Sequence, residues 1–156
     1  MRERLVDTRE WVHTIQELIE EGKEVPMVIT GYSMTPFLVH KRDSVLLAKV
    51  DRELRRGDMV FYCRPSGQYV LHRIVKFDSA EGVYFAGDAQ DFIEGPLPRE
   101  CIFALVKAVK RKENWIRPGD FWWDFFAGFW LKVLPFRRLI IKLYGISVGR
   151  IRRWKE

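Results

Sequence analysis

The stretch RGDMVFYCRPSGQYVLHRIVKF, residues 56–77, decides the fold of this chain. It holds two β-rich runs, residues 59–64 and 69–77, separated by the turn signal Pro65-Ser66-Gly67. Branched and aromatic residues favour strands, and a short connection containing Pro and Gly between two such runs indicates a hairpin. The stretch therefore predicts two neighbouring antiparallel strands.

Similar runs on either side extend this pattern into a sheet. The predicted strands are residues 25–30, 44–50, 59–64, 69–77, 83–86 and 101–110. No helical periodicity interrupts them, so we expect a mostly β fold, a small antiparallel sheet or barrel. With 156 residues, the chain has room for one domain of ordinary size.

Residues 1–24 predict an amphipathic helix. Its apolar residues follow the spacing i, i+1, i+4, i+7, i+8 and are Trp11, Val12, Ile15, Leu18 and Ile19. A segment resembling a capping box, residues 7–10, indicates its start, and Gly22 indicates its end. Because the first residues are charged and no apolar run follows them, we expect no cleavable signal peptide.

The net charge of +6 is unevenly distributed. Residues 110–156 hold 12 Lys and Arg against 4 Asp and Glu, whereas residues 1–109 hold 15 against 17. Five of the six Trp also lie in the basic part. The predicted organisation is a helix over residues 1–24, a β domain over 25–110 and a basic, aromatic tail with helices over 111–156.

The apolar run of the tail, residues 121–136, contains Asp124 and Lys132 and ends near Pro135. A transmembrane helix needs roughly 20 mostly apolar residues, so no clear span is predicted. Aromatic and basic residues together are typical of interfacial membrane helices. Two interpretations stay open: residues 115–156 contact a membrane surface, or they cover the sheet or a protein partner. Nucleic acid is the less favoured partner, and the expected localisation is cytoplasmic or peripherally membrane-associated.

Ser33, His72, Asp88 and Asp91 are the residues with chemistry to offer. Ser33 and the two aspartates follow predicted strands, and His72 lies inside one. A serine hydroxyl becomes nucleophilic when a neighbouring base takes its proton, and a third group usually orients that base. An ordinary histidine titrates near ~6.5, which predicts activity that falls on the acid side. Each residue also has a purely structural interpretation, as turn residues for Ser33 and Asp88 and as a core histidine for His72.

Four ordered sequence boxes connect these residues. They read Gly31-Tyr32-Ser33-Met34-Thr35-Pro36, Arg56-Gly57-Asp58-Met59-Val60, Val70-Leu71-His72-Arg73-Ile74 and Gly87-Asp88-Ala89. Residues 25–109, which carry them, resemble the signal peptidase I superfamily, whose relatives include the LexA-like self-cleaving proteases. The resemblance implies that fold, with Ser33 as nucleophile and His72 as general base, as in the endoplasmic-reticulum and archaeal branch. Asp88 matches the Gly-Asp box, and Asp91 and Glu94 compete for the acidic position slightly further on.

The resemblance further implies a serine endopeptidase that acts on a polypeptide, with neither metal nor cofactor. The backbone N–H of Ser33 is the natural first oxyanion donor; the second is unassigned, with Thr30 as a candidate. Arg73 is expected to anchor an acidic neighbour. Signal peptidases usually have a transmembrane anchor before the serine box, and here only the amphipathic helix precedes it. A glycine is also missing from Lys41-Arg42-Asp43, where the family has Gly-Asp.

Two other functions compete with this one. The same fold could be a catalytically silent module that binds a peptide at a sheet edge. A LexA-like regulator is disfavoured, because the 32 residues before Ser33 are too few for a DNA-binding domain and a linker. The two cysteines, Cys63 and Cys101, lack the spacing of a disulfide scaffold or a zinc site. The oligomeric state stays open.

Overall fold

A computed structural model describes residues 8–144 and shows a mostly antiparallel β-sheet with a few short helices. The strands are β1 (Val25–Val28), β2 (Ser44–Ala48), β3 (Met59–Cys63), β4 (Tyr69–Phe77), β5 (Val83–Ala86), β6 (Glu94–Leu97), β7 (Ile102–Arg111) and β8 (Asn114–Ile116). The helices are α1 (Thr8–Glu20), α2 (Phe121–Ala127) and α3 (Phe129–Lys132), with 3₁₀ turns at Arg99–Cys101 and Leu134–Phe136. Residues 137–144 are helical.

The strands form one sheet in the order β1-β2-β7-β3-β4-β5-β6, with β8 paired to β7. Every pairing is antiparallel. The predicted hairpin over residues 56–77 is confirmed as β3 and β4, with Val60 opposite His72. The mostly antiparallel architecture is thus as expected.

All six predicted strands form, but β6 and β8 were not predicted. The sequence of β6, Glu94-Gly95-Pro96-Leu97, carries two residues that disfavour strands. Pairing with β5 holds it extended in spite of that composition. Strand β8 is only three residues long and follows Lys112 and Glu113, both at positive φ. Sequence periodicity has too few residues there to indicate a strand.

Helix α1 packs on the sheet through the predicted apolar stripe. Val12, Ile15 and Ile19 are buried, and two of them belong to the main core cluster. The chain leaves the helix at Gly22, whose φ of 82° is left-handed and whose N–H donates to the Ile19 carbonyl. The predicted helix end is confirmed. Asp7, the expected cap, lies outside the described residues.

The core lies on both faces of the sheet. Successive strand residues point to opposite faces, so Phe61 belongs to one cluster and Tyr62 to the other. The Phe61 cluster also contains Trp123, Phe126 and Trp130 from α2 and α3. One face of the tail therefore covers the sheet. Among residues 8–144, no helix has the length and apolar character needed to cross a bilayer.

Candidate active site

Ser33 lies in the loop that follows β1. The loop turns at Gly31, whose φ is 93° and whose N–H donates to His40 Nδ1 at 2.8 Å. Directly after Ser33, Met34, Phe37 and Leu38 are buried in the core. The loop is therefore anchored by apolar side chains on one side of a partly exposed serine.

A second loop, residues 87–90, supports the backbone of Ser33. Ala89 N–H donates to the Ser33 carbonyl at 2.8 Å. Gly87 lies so close that a Cβ there would collide with the Ser33 carbonyl oxygen and lie 3.1 Å from Ser33 Cβ. Only glycine permits this approach. The residues of the predicted Gly-Asp box thus pack against the backbone of Ser33 and support it.

The tail holds the 87–90 loop from the other side. Trp130 Nε1 donates to the Asp88 carbonyl at 2.7 Å, and Arg137 Nη1 donates to the Gly87 carbonyl at 2.8 Å. Arg137 Nη1 also reaches the Gln90 carbonyl at 3.2 Å, and its Nε donates to the Trp130 carbonyl at 3.0 Å. Arg137 is fully buried. The tail is consequently part of the structure that positions Ser33.

Ser33 and His72 line the same cleft, which has a volume of about 950 Å³. Its walls include Thr30, Arg64 and Gln90. Within residues 8–144, Ser33 Oγ has no hydrogen bond to His72. In ligand-free sites such bonds are often long and tighten when substrate binds. The predicted nucleophile and base therefore share one cleft, without a hydrogen bond between them among the described residues.

His72 is 1% exposed and is held through a chain of side chains. Its Nδ1 lies 3.0 Å from Tyr62 Oη. Tyr62 Oη donates to Glu94 Oε2 at 3.1 Å, and Arg64 forms two 2.7 Å hydrogen bonds to the Glu94 carboxylate. Glu94 Oε2 is 4.0 Å from His72 Nδ1. The order of the network is thus His72, Tyr62, Glu94, Arg64.

This network assigns the tautomer of His72. A phenol has one proton, and Tyr62 donates it to the Glu94 carboxylate. Tyr62 Oη must then accept from His72 Nδ1, so the neutral ring carries its proton there. The Nε2 atom keeps a lone pair, which is the form that a general base requires.

The electrostatics keep His72 neutral. Burial, and to a lesser extent the Arg64 charge, lower the pKa of His72 from 6.5 to about 4, and the Glu94 charge opposes both effects. Hydrogen bonds from Arg64 lower the pKa of Glu94, so its carboxylate is ionised. Burial, together with the Glu94 charge, raises the pKa of Tyr62, which stays a phenol. The imidazole is therefore a free base across the physiological pH range.

Neither aspartate in the predicted set contacts His72. The Asp88 carboxylate is fully buried and forms two hydrogen bonds with Arg73, at 3.0 and 2.9 Å. Asp91 is exposed and lies 3.8 Å from Arg138. The structure therefore does not place Asp88 or Asp91 against His72; Glu94, the third candidate, is the carboxylate that connects to it through Tyr62. The expectation that Arg73 anchors an acidic neighbour is confirmed.

The Ser33 N–H donates to no acceptor within residues 8–144, so it is available to an oxyanion. Thr30 lines the cleft near it. Gln90 is a further group of the cleft: its Oε1 accepts from Gly87 N–H at 2.8 Å, which fixes the orientation of the side-chain amide. The Ser33 N–H stays the candidate for the first oxyanion donor, and Thr30 and Gln90 are candidates for the second.

Sequence reasoning missed Tyr62, Arg64, Trp130 and Arg137. Strand pairing offered a signal for Tyr62, because Val60 pairs with His72 and Tyr62 points to the same face of the sheet two residues on. No local pattern indicates Arg64 or Arg137, since their partners lie 30 and 50 residues away. No family model matches the chain, and no curated protein matches it significantly.

Proposed function

We propose that this protein is a serine endopeptidase of the signal-peptidase type, with Ser33 as nucleophile and His72 as general base. One observation carries the proposal: His72 and Ser33 line one cleft, and the Tyr62 contact leaves His72 Nε2 as a free base. The four sequence boxes described above support the assignment to that fold. The proposed substrate is a polypeptide, bound in the cleft beside β1.

The first half of the reaction makes an acyl-enzyme. His72 Nε2 takes the Ser33 hydroxyl proton as Oγ bonds to the peptide carbonyl carbon, and the carbonyl oxygen becomes an oxyanion. The Ser33 N–H donates to that oxygen, with Thr30 or Gln90 as the second donor. When the C–N bond breaks, His72 returns the proton to the leaving amine.

The second half hydrolyses the ester. A water gives one proton to His72 Nε2 and attacks the acyl carbon. As the C–O bond to Ser33 Oγ breaks, His72 returns that proton to Oγ, which regenerates Ser33 and releases the product with a new carboxyl group. In both halves the imidazolium forms at a buried position. The Glu94 charge, 4.0 Å from Nδ1, stabilises it, and the Tyr62 hydroxyl keeps the ring in place.

The extended segment next to the cleft supports a peptide substrate. Residues 27–34 border the cleft, and Val28, at the end of β1, is 57% exposed. β1 ends the strand order and pairs with β2. A peptide can add to such an edge through backbone hydrogen bonds, which places its carbonyl groups along the cleft.

The test is covalent labelling of the full chain by an alkyl fluorophosphonate, read by intact mass and peptide mapping. Wild type is expected to gain one adduct on Ser33, and Ser33→Ala none. Ser66→Ala removes an exposed serine of the β3–β4 turn and is the matched control. A proteome-derived peptide library should be cleaved by wild type and Ser66→Ala alone. Wild type that neither labels nor cleaves contradicts the proposal.

The second candidate is a catalytically silent peptide-binding module. The observation in its favour is that Ser33 Oγ and His72 form no hydrogen bond within the described residues. Such a module would bind library peptides with the same affinity in wild type and Ser33→Ala, and would cleave none. Retained binding without labelling selects this function.

A further inference from the structure

The segment formed by α2 and α3 has two apolar faces. The first contains Trp123, Phe126 and Trp130, which are buried against the sheet. A helix on a globular domain needs only one such face, and the opposite side is normally polar. Here further aromatic side chains adjoin that face, next to the side that carries the exposed Asp124.

We define the aromatic face as Phe121, Trp122, Phe125 and Phe129. Phe121 is 71% exposed, Phe129 is 55% exposed and Trp122 is 49% exposed. The rings form a continuous patch, with centroids 5.1 Å apart for Phe121–Trp122 and 5.4 Å apart for Phe125–Phe129. Phe136, 62% exposed, follows seven residues after Phe129. Folding of residues 8–144 leaves Phe121, Trp122 and Phe129 exposed, whereas Phe125 is half-buried and packs against the core cluster.

Positive charge accompanies the aromatic face. Lys132 lies between Phe129 and Phe136, and Arg138 and Lys142 follow; all three are exposed. Arg138 is 88% exposed, with Asp91 3.8 Å away. Aromatic rings next to Lys and Arg are the side chains that settle at the interface of a bilayer, where basic residues meet anionic headgroups.

We propose that the aromatic face and its basic residues dock onto an anionic lipid bilayer, with the segment lying in the plane of the interface. The proposal concerns the location of the protein and does not depend on the serine peptidase chemistry. No described helix is long enough to span, which agrees with an in-plane arrangement. Charge complementarity selects anionic over neutral lipid.

Ring geometry favours lipid over single-stranded nucleic acid. Stacking of bases needs free ring faces. Phe121–Trp122 and Trp122–Phe125 meet edge to face, at interplanar angles of 76° and 82°. Neighbouring rings therefore touch one another and present a joint apolar surface. Such a surface suits acyl chains and glycerol better than separate bases.

The experiment measures vesicle flotation of the full chain. The vesicles are phosphatidylcholine alone, or phosphatidylcholine with phosphatidylglycerol. Wild type is expected to float with the anionic vesicles and at least about tenfold less with the neutral ones. Vesicle lipids brominated near the glycerol end of their chains should quench Trp fluorescence more than deep bromines do. Failure of wild type to float overturns the proposal.

Two variants locate the contact. Phe121→Ser with Phe129→Ser, and separately Lys132→Glu with Arg138→Glu, should each lower the partition coefficient at least about tenfold. Lys41→Glu with Lys49→Glu makes the same charge change at exposed sites elsewhere and should change it less than about threefold. Circular dichroism of each variant verifies folding. If the partition coefficient falls as much in the control pair, the proposal that this particular face binds the bilayer is overturned.

The other occupants give distinct results. A labelled single-stranded oligonucleotide that binds while vesicles do not would assign the face to nucleic acid and overturn the lipid proposal. A concentration-dependent dimer, lost in Phe121→Ser with Phe129→Ser and accompanied by no flotation, would assign it to a second copy and overturn it equally. The lipid proposal is supported if flotation is lost in the Phe121/Phe129 and Lys132/Arg138 variants but not in the control pair. Ser33 labelling is scored separately, so failure of the peptidase proposal leaves this result intact.

Discussion

The hydroxyl of Tyr62 lies 3.0 Å from His72 Nδ1 and is the direct partner of the buried imidazole. The carboxylate of Glu94 lies one position further along the network, 4.0 Å from the same nitrogen. The neutral Tyr62 hydroxyl fixes the tautomer of His72 as a carboxylate in its place would. It stabilises the positive charge of the imidazolium less than a carboxylate does. This explains why burial prevails and the pKa of His72 falls to about 4.

Tyr62→Phe is expected to slow the reaction without weakening peptide binding. The variant removes the acceptor of His72 Nδ1–H, so the ring loses its fixed tautomer. Loss of an orienting partner typically costs about 10- to 100-fold in activity. The measurement is kcat and KM on a peptide cleaved by wild type, with kcat expected to carry the loss.

Tyr84→Phe is the matched control for this change. Its hydroxyl makes a 3.4 Å contact with Asp78 and is not among the groups that line the cleft. The control should keep wild-type kcat. If Tyr62→Phe does so too, the tyrosine does not position the base.

Glu94→Gln and Asp91→Asn distinguish the acidic candidates. Removing the Glu94 charge leaves Arg64 uncompensated 2.7 Å from the new amide, which disfavours the imidazolium formed in the reaction. We expect kcat to fall about tenfold in Glu94→Gln and to stay at the wild-type level in Asp91→Asn. Steady-state kinetics measure both. The reverse ranking would return the orienting role to Asp91.

The rate of cleavage should be independent of pH until strongly acid conditions. His72 acts as a base only when it is neutral, and it is neutral above its folded pKa of about 4. The kcat/KM profile should therefore be level from about pH 8 to pH 5 and fall as the pH passes through about 4. Circular dichroism across the same range separates protonation from unfolding. A midpoint near 6.5 would mean that the base is solvated.

Arg73 and Asp88 form a buried ion pair whose role is structural. Asp88→Asn leaves Arg73 charged and poorly paired, which should lower the free energy of unfolding by about 3–5 kcal/mol. Replacing both, as Arg73→Met with Asp88→Leu, removes both charges and should recover most of that loss. Urea unfolding of the variants measures the recovery. A double variant as unstable as the single one would show that the pair itself is needed.

The sheet was predictable because its strands carry local signals. Tyr69–Phe77 is rich in branched and aromatic residues and lies between turn signals, so its limits could be predicted to the residue. Glu94–Leu97 carries the opposite composition, and only its pairing with β5 makes it a strand. Local pattern thus predicts β1 at one edge of the sheet as well as its central strands, whereas tertiary contacts determine β6 and β8.

In the candidate site, too, local sequence pattern indicates some residues, and tertiary contacts determine the others. Short, ordered sequence boxes single out Ser33 and His72, and both residues line one cleft. Asp88 lies in such a box too, but its carboxylate accepts hydrogen bonds from Arg73 and does not contact His72. Asp88 and Glu94 differ in their partners: only Glu94 is connected to the histidine by neighbouring side chains. That depends on Tyr62 and Arg64, whose partners are distant in sequence.

Arg137 connects the tail with the 87–90 loop that supports Ser33. Its guanidinium binds the carbonyls of Gly87 and Gln90, which flank the Ala89 N–H that holds Ser33. Arg137→Met keeps much of the side-chain volume and removes those bonds. We expect Ser33 labelling to slow about tenfold or more, since small displacements of a nucleophile are costly. Arg138→Met, the exposed neighbour, is the matched control and should label at the wild-type rate. Hydrogen exchange at the Ala89 amide reports the position of the loop directly, and it should accelerate in Arg137→Met alone. Slower labelling with unchanged Ala89 exchange would mean that Arg137 acts elsewhere than through the loop under Ser33.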